Sequence, residues 1–177
     1  MFSVRLSKRE CTDTDKIELF LSGAQTGFLG LSDGRLPYVV PLNFVKVGDS
    51  FYFHGAGEGR KLDMIRSNNE GCFTISEAYG TITDPVPAHT DTAYMSVMAF
   101  GRIEEVADLD EATGAMQAML DKYVPGYYGE PLAKAHLDKY RSSMDSATAV
   151  FKLVARQITA KENEPVPGRM HEGRGQA

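Results

Sequence analysis

Six segments of the sequence have the apolar, β-branched and aromatic composition of β-strands, and short turn sequences connect most of them. We predict strands over Gly27–Ser32, 37–46, 50–54, 72–76, 93–106 and 148–161, and helices over 12–24, 108–123 and 131–142. Chains with many short strands and short connections close into barrels or sandwiches. The sequence therefore predicts one mainly β (α+β) domain over residues 1–177, with peripheral helices and a polar tail over 162–177.

Two of the predicted strands have unusual features. Pro41 lies inside the segment 37–46 and cannot donate to a strand ladder, so this segment is an edge strand, contains a bulge, or lies beside something other than a strand. Within the segment 93–106, residues 93–103 are apolar on both faces of the strand, and such a strand requires two covered sides. We expect the barrel interior on one side and a second copy of the chain on the other, in an obligate dimer.

A further expectation concerns residues 79–91, which read as a long polar loop.

A glycine-rich stretch, "GAGEGRK", follows the third strand and leads into a short helical pattern. Gly55 and Gly59 allow close approach or positive φ, and Arg60 and Lys61 stand at the start of the helix. Free helix N–H groups, the helix dipole and both cations would point at one spot and attract phosphate. The stretch is neither a Walker A loop nor a dinucleotide-binding GxGxxG, and a flexible connection with exposed cations remains the alternative. Glu58 weakens the argument for an anion unless its side chain points away.

Composition excludes several classes of function. The formal net charge is −5, with acids and bases mixed, which argues against a nucleic-acid partner. The two cysteines and four histidines lack metal-ligand spacing, so we expect neither a metal site nor a disulfide framework. No apolar run is long enough for a signal peptide core or a membrane span, and we expect a cytoplasmic protein without a membrane partner. His54 is the one histidine that a strand delivers to the glycine-rich stretch.

Residues 27–75, with "PYVVPLNF" and "YFHGAGEGRK", together with "YMSVMAFGRIEEV" and "ITAKE", resemble a family of FMN-binding proteins. These are the split β-barrel proteins related to pyridoxamine 5′-phosphate oxidase, and the closest likeness is to the branch with the nitroimidazole-resistance (Nim) reductases. The resemblance implies a six-stranded antiparallel split barrel and a homodimer with FMN between the subunits.

The resemblance also implies roles for individual residues. Arg60 and Lys61, beside Gly59, would hold the flavin phosphate, while Phe53, His54 and Gly55 would lie by the ribityl chain and the ring. His54 is the candidate for a chemical role. A further stretch would run beside the isoalloxazine and offer backbone groups to it: Tyr38, Val39, Val40, Pro41, Leu42 and Asn43.

The expected function is that of an FMN-dependent oxidoreductase, in which NAD(P)H supplies electrons for a small acceptor such as a nitroaromatic, a quinone or oxygen. A flavin-storage protein without turnover and a barrel module without cofactor are the alternatives. Pyridoxamine phosphate oxidase activity is a weaker possibility, because Gly173 breaks the tail motif "GRMHEGR". We expect the tail to cross onto the partner subunit, with Arg169, His171 or Arg174 facing the cleft.

Overall fold

The computed structural model describes residues 4–139 and 148–171. The described chain forms β1 (Glu10–Cys11), α1 (Thr14–Gly23), β2 (Gly27–Ser32), β3 (Pro37–Leu42), β4 (Val45–Val47), β5 (Ser50–Ala56), α2 (Arg60–Ser67), β6 (Glu70–Ile82), β7 (Asp91–Glu105), α3 (Leu109–Tyr123), α4 (Lys134–Lys139) and β8 (Thr148–Asn163). Single 3-10 turns cover Ser7–Arg9 and Pro87–His89. The prediction of a mainly β chain with few, peripheral helices is confirmed. No described helix has the length and apolarity required to cross a membrane.

Every pair of strands in the described sheet is antiparallel. Seven strands follow the order β3-β2-β6-β7-β8-β5-β4, and β1 pairs with the last part of β8. Strand β8 is the centre of the arrangement, because its first half pairs with β5 and most of its length pairs with β7. Strands β3 and β4 stand at the two ends of this path. The sheet is thus an open half-barrel, consistent with a split barrel.

The predicted count of six strands is wrong, because the described residues form eight. One addition is the two-residue β1, and the other arises because the predicted strand 37–46 divides into β3 and β4. At the break, the Phe44 N–H donates to the Tyr123 hydroxyl at 2.9 Å instead of to a strand. Strand β3 pairs with β2 alone, so Pro41 lies on an edge strand, one of the explanations that the sequence left open.

The prediction of a loop over residues 79–91 is also wrong for its first part. Tyr79 to Ile82 belong to β6, which continues past a bulge between Ala78 and Gly80. Gly80 has φ +125°, a conformation that glycine adopts without strain, and this lets the bulge form. At the other end of the chain, α4 covers Lys134–Lys139 within the predicted 131–142, of which residues 140–142 lie outside the described part.

An aromatic cluster fills the interior of the half-barrel. Its five fully buried rings are Phe44, Phe51, Phe53, Phe73 and Phe151, and the neighbouring centroids lie 5.3–6.2 Å apart. Strand β7 alternates as predicted, since Met95, Val97 and Ala99 are buried against this core, whereas Met98 on the opposite face is 36% exposed. The interior therefore covers one of the two apolar faces of β7.

Helix α3 packs over the outside of β4, β5 and β8 and forms a second, smaller core with Val45, Tyr52 and Val150. Asp108 caps this helix as predicted, because its carboxylate accepts the Glu111 N–H at 2.8 Å. The face of β5 that carries Tyr52 is therefore the face covered by α3.

The segment after β8 folds back on its own chain. The His171 N–H donates to the Thr81 carbonyl at 2.8 Å, and the Thr83 N–H donates to the Arg169 carbonyl at 2.7 Å. The Arg169 guanidinium also pairs with Asp84. Up to His171 the tail therefore lies along the end of β6, and Arg174 lies outside the described residues. A crossing onto a partner subunit stays a prediction.

Candidate functional site

The turn between β5 and α2 is built by glycine. Gly59 is the N-cap residue of α2 with φ +95°, a conformation that residues with a side chain rarely adopt. Helix α2 then begins at Arg60 and buries Leu62, Met64 and Ile65 against the barrel. The predicted positive φ and the predicted helix start are both confirmed. Residues 60 and 61 are consequently fixed on the first turn of the helix.

The Lys61 side chain lies beside two rings of the aromatic cluster that fills the half-barrel. Its ammonium nitrogen lies 6.0 Å from the Phe53 ring centroid and 5.5 Å from the Phe151 ring centroid. A Cβ atom at Gly55 would lie 2.1 Å from this nitrogen, so the space that Lys61 occupies exists only because residue 55 is glycine. Among the described residues no carboxylate oxygen lies within 4.0 Å of the ammonium. Desolvation lowers the pKa of Lys61.

Arg60 extends in a different direction. Its guanidinium carbon lies 5.9 Å from the centroid of the Tyr38 ring on the edge strand β3, and the side chain is exposed. Successive residues of a helix point about 100° apart, and the two cations find aromatic partners on different strands. In the described structure the two cations therefore contact rings on different strands, and their joint binding of one phosphate stays a prediction.

His54 lies on the other face of β5 from Phe53 and Gly55. Its cross-strand partner is Val150, a member of the core under α3. The histidine is exposed, yet desolvation by the surrounding protein lowers its pKa, and the charge of Lys61 lowers it further. The imidazole is therefore neutral at neutral pH, and one ring nitrogen can donate a hydrogen bond while the other accepts.

The predicted stretch 38–43 alternates along the edge of the sheet. Tyr38, Val40 and Leu42 are half-buried and pack against the aromatic core, whereas Val39, Pro41 and Asn43 are exposed. Because β3 pairs only with β2, its second side carries backbone groups without a strand partner in the described sheet. These groups are available to a ligand that lies along the edge.

Sequence reasoning did not identify Phe151, although its ring lies beside the Lys61 ammonium. The residue comes from β8, which pairs with β5 across about a hundred residues of chain. Its only signal in the sequence is its position in an alternating strand pattern. Among residues 4–139 and 148–171, no group of three or more His, Cys, Asp or Glu side chains could hold a metal ion.

The sequence profile of the pyridoxamine 5′-phosphate oxidase family matches residues 13–162 of the chain. The chain belongs to this family. The match covers α1, the glycine-rich turn and all the long strands, and the resemblance seen in the sequence is confirmed. No curated protein is significantly similar to the chain in sequence.

Solved structures share the fold. The flavocytochrome Anf3 from Azotobacter vinelandii has a TM-score of 0.76 at 22% identity, covering 92% of this chain and 73% of that one. An FAD- and heme-binding protein from Mycobacterium smegmatis has a TM-score of 0.72 at 20% identity, with coverages of 90% and 75%. A 5-nitroimidazole antibiotic resistance protein from Bacteroides thetaiotaomicron has a TM-score of 0.66 at 26% identity, with coverages of 86% and 85%.

Proposed function

We propose that the chain is a flavin-dependent oxidoreductase that holds FMN at the turn between β5 and α2, takes electrons from NAD(P)H and reduces a small acceptor. The observation that carries the proposal is the Lys61 ammonium, which is half-buried and without a carboxylate partner among the described residues. A desolvated cation of this kind is stabilised by an anionic ligand. Membership of the pyridoxamine 5′-phosphate oxidase family supports a phosphorylated, flavin-type ligand.

The residues at the turn fit a flavin phosphate. The Gly59 carbonyl accepts the Asp63 N–H, so the N–H groups of residues 60–62 precede the first intrahelical bond and are free for an anion. The missing side chain at Gly55 leaves room for Lys61, and Arg60 adds an exposed cation near Tyr38. When bound, a flavin would supply the redox chemistry, while the protein supplies binding, orientation and access.

The remaining predicted residues have defined places in this proposal. The free side of β3, from Tyr38 to Asn43, would offer backbone groups to the polar edge of the ring system. Phe53 and Gly55 form the floor beside Lys61. His54 lies on the opposite face of β5 from Phe53 and Gly55, so it is not proposed to contact the phosphate. It would hydrogen-bond an anionic acceptor or a part of the cofactor on its own side of the strand, and its lowered pKa keeps the imidazole neutral for this role.

We further propose that the active form is a homodimer with the cofactor between the subunits. Phe28 on β2 is 43% exposed, and Met98 on β7 is 36% exposed. Thr74 on β6 is the cross-strand neighbour of both residues, so the two side chains lie on the same face of the sheet. Val39, which is 62% exposed, lies opposite Gly30 on the same outer face. These apolar side chains lie on the face of the sheet that the barrel core leaves uncovered, and a second copy would bury them.

The comparisons with solved structures guide the choice of acceptors and cofactors to test. Similarity to the nitroimidazole-resistance protein supports a nitroaromatic compound, and quinones and oxygen are the other acceptors to compare. Similarity to FAD-binding proteins makes FAD the necessary comparison with FMN. Storage of FMN without turnover and oxidation of pyridoxamine 5′-phosphate are the alternative functions that the same measurements separate.

The decisive experiment uses the purified full chain under anaerobic conditions. Flavin-free protein is titrated with FMN, FAD and riboflavin, and quenching of flavin fluorescence reports binding. We expect FMN to bind more tightly than riboflavin, because riboflavin lacks the phosphate. The loaded protein is then mixed with NADH, NADPH or pyridoxamine 5′-phosphate, and loss of visible absorbance followed by reoxidation with each acceptor shows turnover with that donor. A chain that binds no flavin contradicts the whole proposal, bleaching by pyridoxamine 5′-phosphate alone identifies the oxidase activity, and binding without bleaching by any of the three identifies a storage protein.

A further inference from the structure

The hydroxyl of Tyr123, the last residue of α3, lies at the corner where β3 ends and β4 begins. It donates to the Gln25 carbonyl at 2.6 Å and accepts the Phe44 N–H at 2.9 Å. The carbonyl oxygen of Phe44 lies 3.2 Å from the same hydroxyl oxygen. Phe44 is fully buried, so its backbone groups need a partner inside the protein. One hydroxyl therefore joins the backbone of Phe44 to the segment just before β2.

This hydroxyl takes the place of a ladder hydrogen bond between β2 and β3. The last pair of that ladder is Gly27 with Leu42, and in the same register the next pair would be Gln25 with Phe44. The Tyr123 oxygen lies between the backbones of those two residues and bonds to both. The ladder consequently stops at Leu42, and the chain turns away from β2 into β4, which pairs with β5.

The same bonds set the direction of the Asn43 backbone. The Phe44 N–H and carbonyl face the hydroxyl, on the side of β2, and the backbone groups of an extended strand alternate between its two sides. The groups of Asn43 therefore face the side of β3 that has no strand partner in the described sheet. Pro41 fits this alternation, because the N–H that proline lacks would lie on the same free side. Among the described residues the Asn43 N–H has no backbone partner.

We propose that Tyr123 is a positioning residue that keeps the Asn43 N–H directed at the polar edge of the flavin ring system. This role depends on the flavin site proposed above and adds to it a residue of α3, which lies outside the stretch of β3 beside the ring. Without the hydroxyl, the Phe44 N–H and the Gln25 carbonyl can pair directly. That pairing draws the end of β3 toward β2 and withdraws the Asn43 N–H from the ring edge.

Loss of the hydroxyl should act on the ring end of the cofactor and not on its phosphate end, which Lys61 and the start of α2 hold in the proposed site. FMN and riboflavin should therefore lose affinity by the same factor, about 2- to 12-fold for one neutral hydrogen bond. A donor at the polar edge also favours the reduced cofactor, which carries more negative charge there. A loss about tenfold larger for the reduced cofactor than for the oxidised one lowers the midpoint potential by about 30 mV.

The test compares Tyr123→Phe with the wild-type chain and with Lys122→Met. Lys122 holds the same corner through other contacts, since its ammonium nitrogen lies 3.8 Å from the Phe44 ring centroid and donates to the Leu21 carbonyl at 3.0 Å. Its removal should lower the melting temperature but leave the hydroxyl bridge, the flavin affinity and the potential unchanged. Fluorescence titration with FMN and riboflavin measures affinity, anaerobic equilibration with a redox dye measures the potential, and thermal unfolding measures stability.

We expect the lower potential, with an unchanged ratio of FMN to riboflavin affinity, in Tyr123→Phe and not in Lys122→Met. Asn43→Pro removes the N–H of residue 43 directly and breaks no described backbone bond, so it should lower the potential even if Tyr123→Phe does not fold. A wild-type potential in either folded variant, or an equal shift in Lys122→Met, would overturn the positioning role alone. A wild-type chain that binds no flavin would refute the proposed function and this role with it.

Discussion

Replacement of Gly55 by alanine should disable the proposed flavin site through Lys61 without unfolding the chain. The new Cβ atom would lie 2.1 Å from the Lys61 nitrogen and 3.2 Å from its Cε atom, so the ammonium must leave its place between Phe53 and Phe151. The displaced group is the end of a flexible side chain, and Gly55 does not have positive φ. We therefore expect the free energy of unfolding to change by less than about 1 kcal/mol.

The loss of flavin affinity should be much larger than the loss of stability. A hydrogen bond between a charged donor and phosphate contributes about 1.5–3 kcal/mol, which corresponds to roughly 10- to 150-fold in the dissociation constant. The assay is fluorescence titration of the flavin-free Gly55→Ala protein with FMN, accompanied by thermal unfolding. Gly114→Ala is the matched control, because a Cβ there meets no neighbouring atom within 4 Å and this exposed position on α3 is outside the proposed flavin site.

A double-mutant cycle decides whether the effect passes through Lys61. If Gly55→Ala acts by displacing the ammonium, then Gly55→Ala combined with Lys61→Ala should bind FMN no more weakly than Lys61→Ala alone. Additive losses, or wild-type affinity in Gly55→Ala, would refute the assignment of Lys61 to the phosphate. Failure of the wild-type chain to bind any flavin would instead refute the proposed function.

Three further predictions follow from the described contacts. Arg60→Ala combined with Lys61→Ala should abolish FMN retention through gel filtration while the circular dichroism spectrum is unchanged; stoichiometric flavin in the variant would contradict this. The wild-type chain should sediment as a dimer at micromolar concentration and Met98→Glu as a monomer, because Met98 lies on the proposed interface; a wild-type monomer would exclude the dimer. Hydrogen bonds from Lys152 and Tyr52 lower the pKa of Glu111 in the folded chain. The ionised carboxylate therefore stabilises the fold at pH values above the pKa that Glu111 has in the unfolded chain. This contribution is lost as pH falls through the folded pKa, so Glu111→Gln should weaken the acid dependence of the melting temperature; an unchanged profile would contradict the link.

The sequence predicted most elements because their determinants are local. The glycine at position 59, the start of α2 and the cap at Asp108 depend on residues within a few positions, and all three are confirmed. The division of β3 from β4 depends on the hydroxyl of Tyr123, which is 79 residues from Phe44 in the chain. No local pattern around Phe44 could reveal that partner.

The candidate site was predictable in its residue types but not in its geometry. Glycines beside two cations indicated an anion site, and in the structure the Lys61 ammonium lies directly beside Gly55. The divergence of Arg60 from Lys61 depends on which rings lie within reach, namely Tyr38 on one strand and Phe151 on another. Those rings become neighbours only after the sheet has formed.

The central position of β8 has a consequence for synthesis of the chain. Strands β5 and β7 do not pair with each other but both pair with β8, and β1 also pairs with β8. These three strands therefore cannot form those pairs until the segment Thr148–Asn163 has left the ribosome. Until then their open edges and the phenylalanines at positions 51 and 53 are exposed to other nascent chains. Pairings between distant segments also form slowly, since each must first close a long loop. The barrel can therefore close only after Asn163 has emerged, and chaperone binding during elongation should concentrate on the segment from β5 to β7.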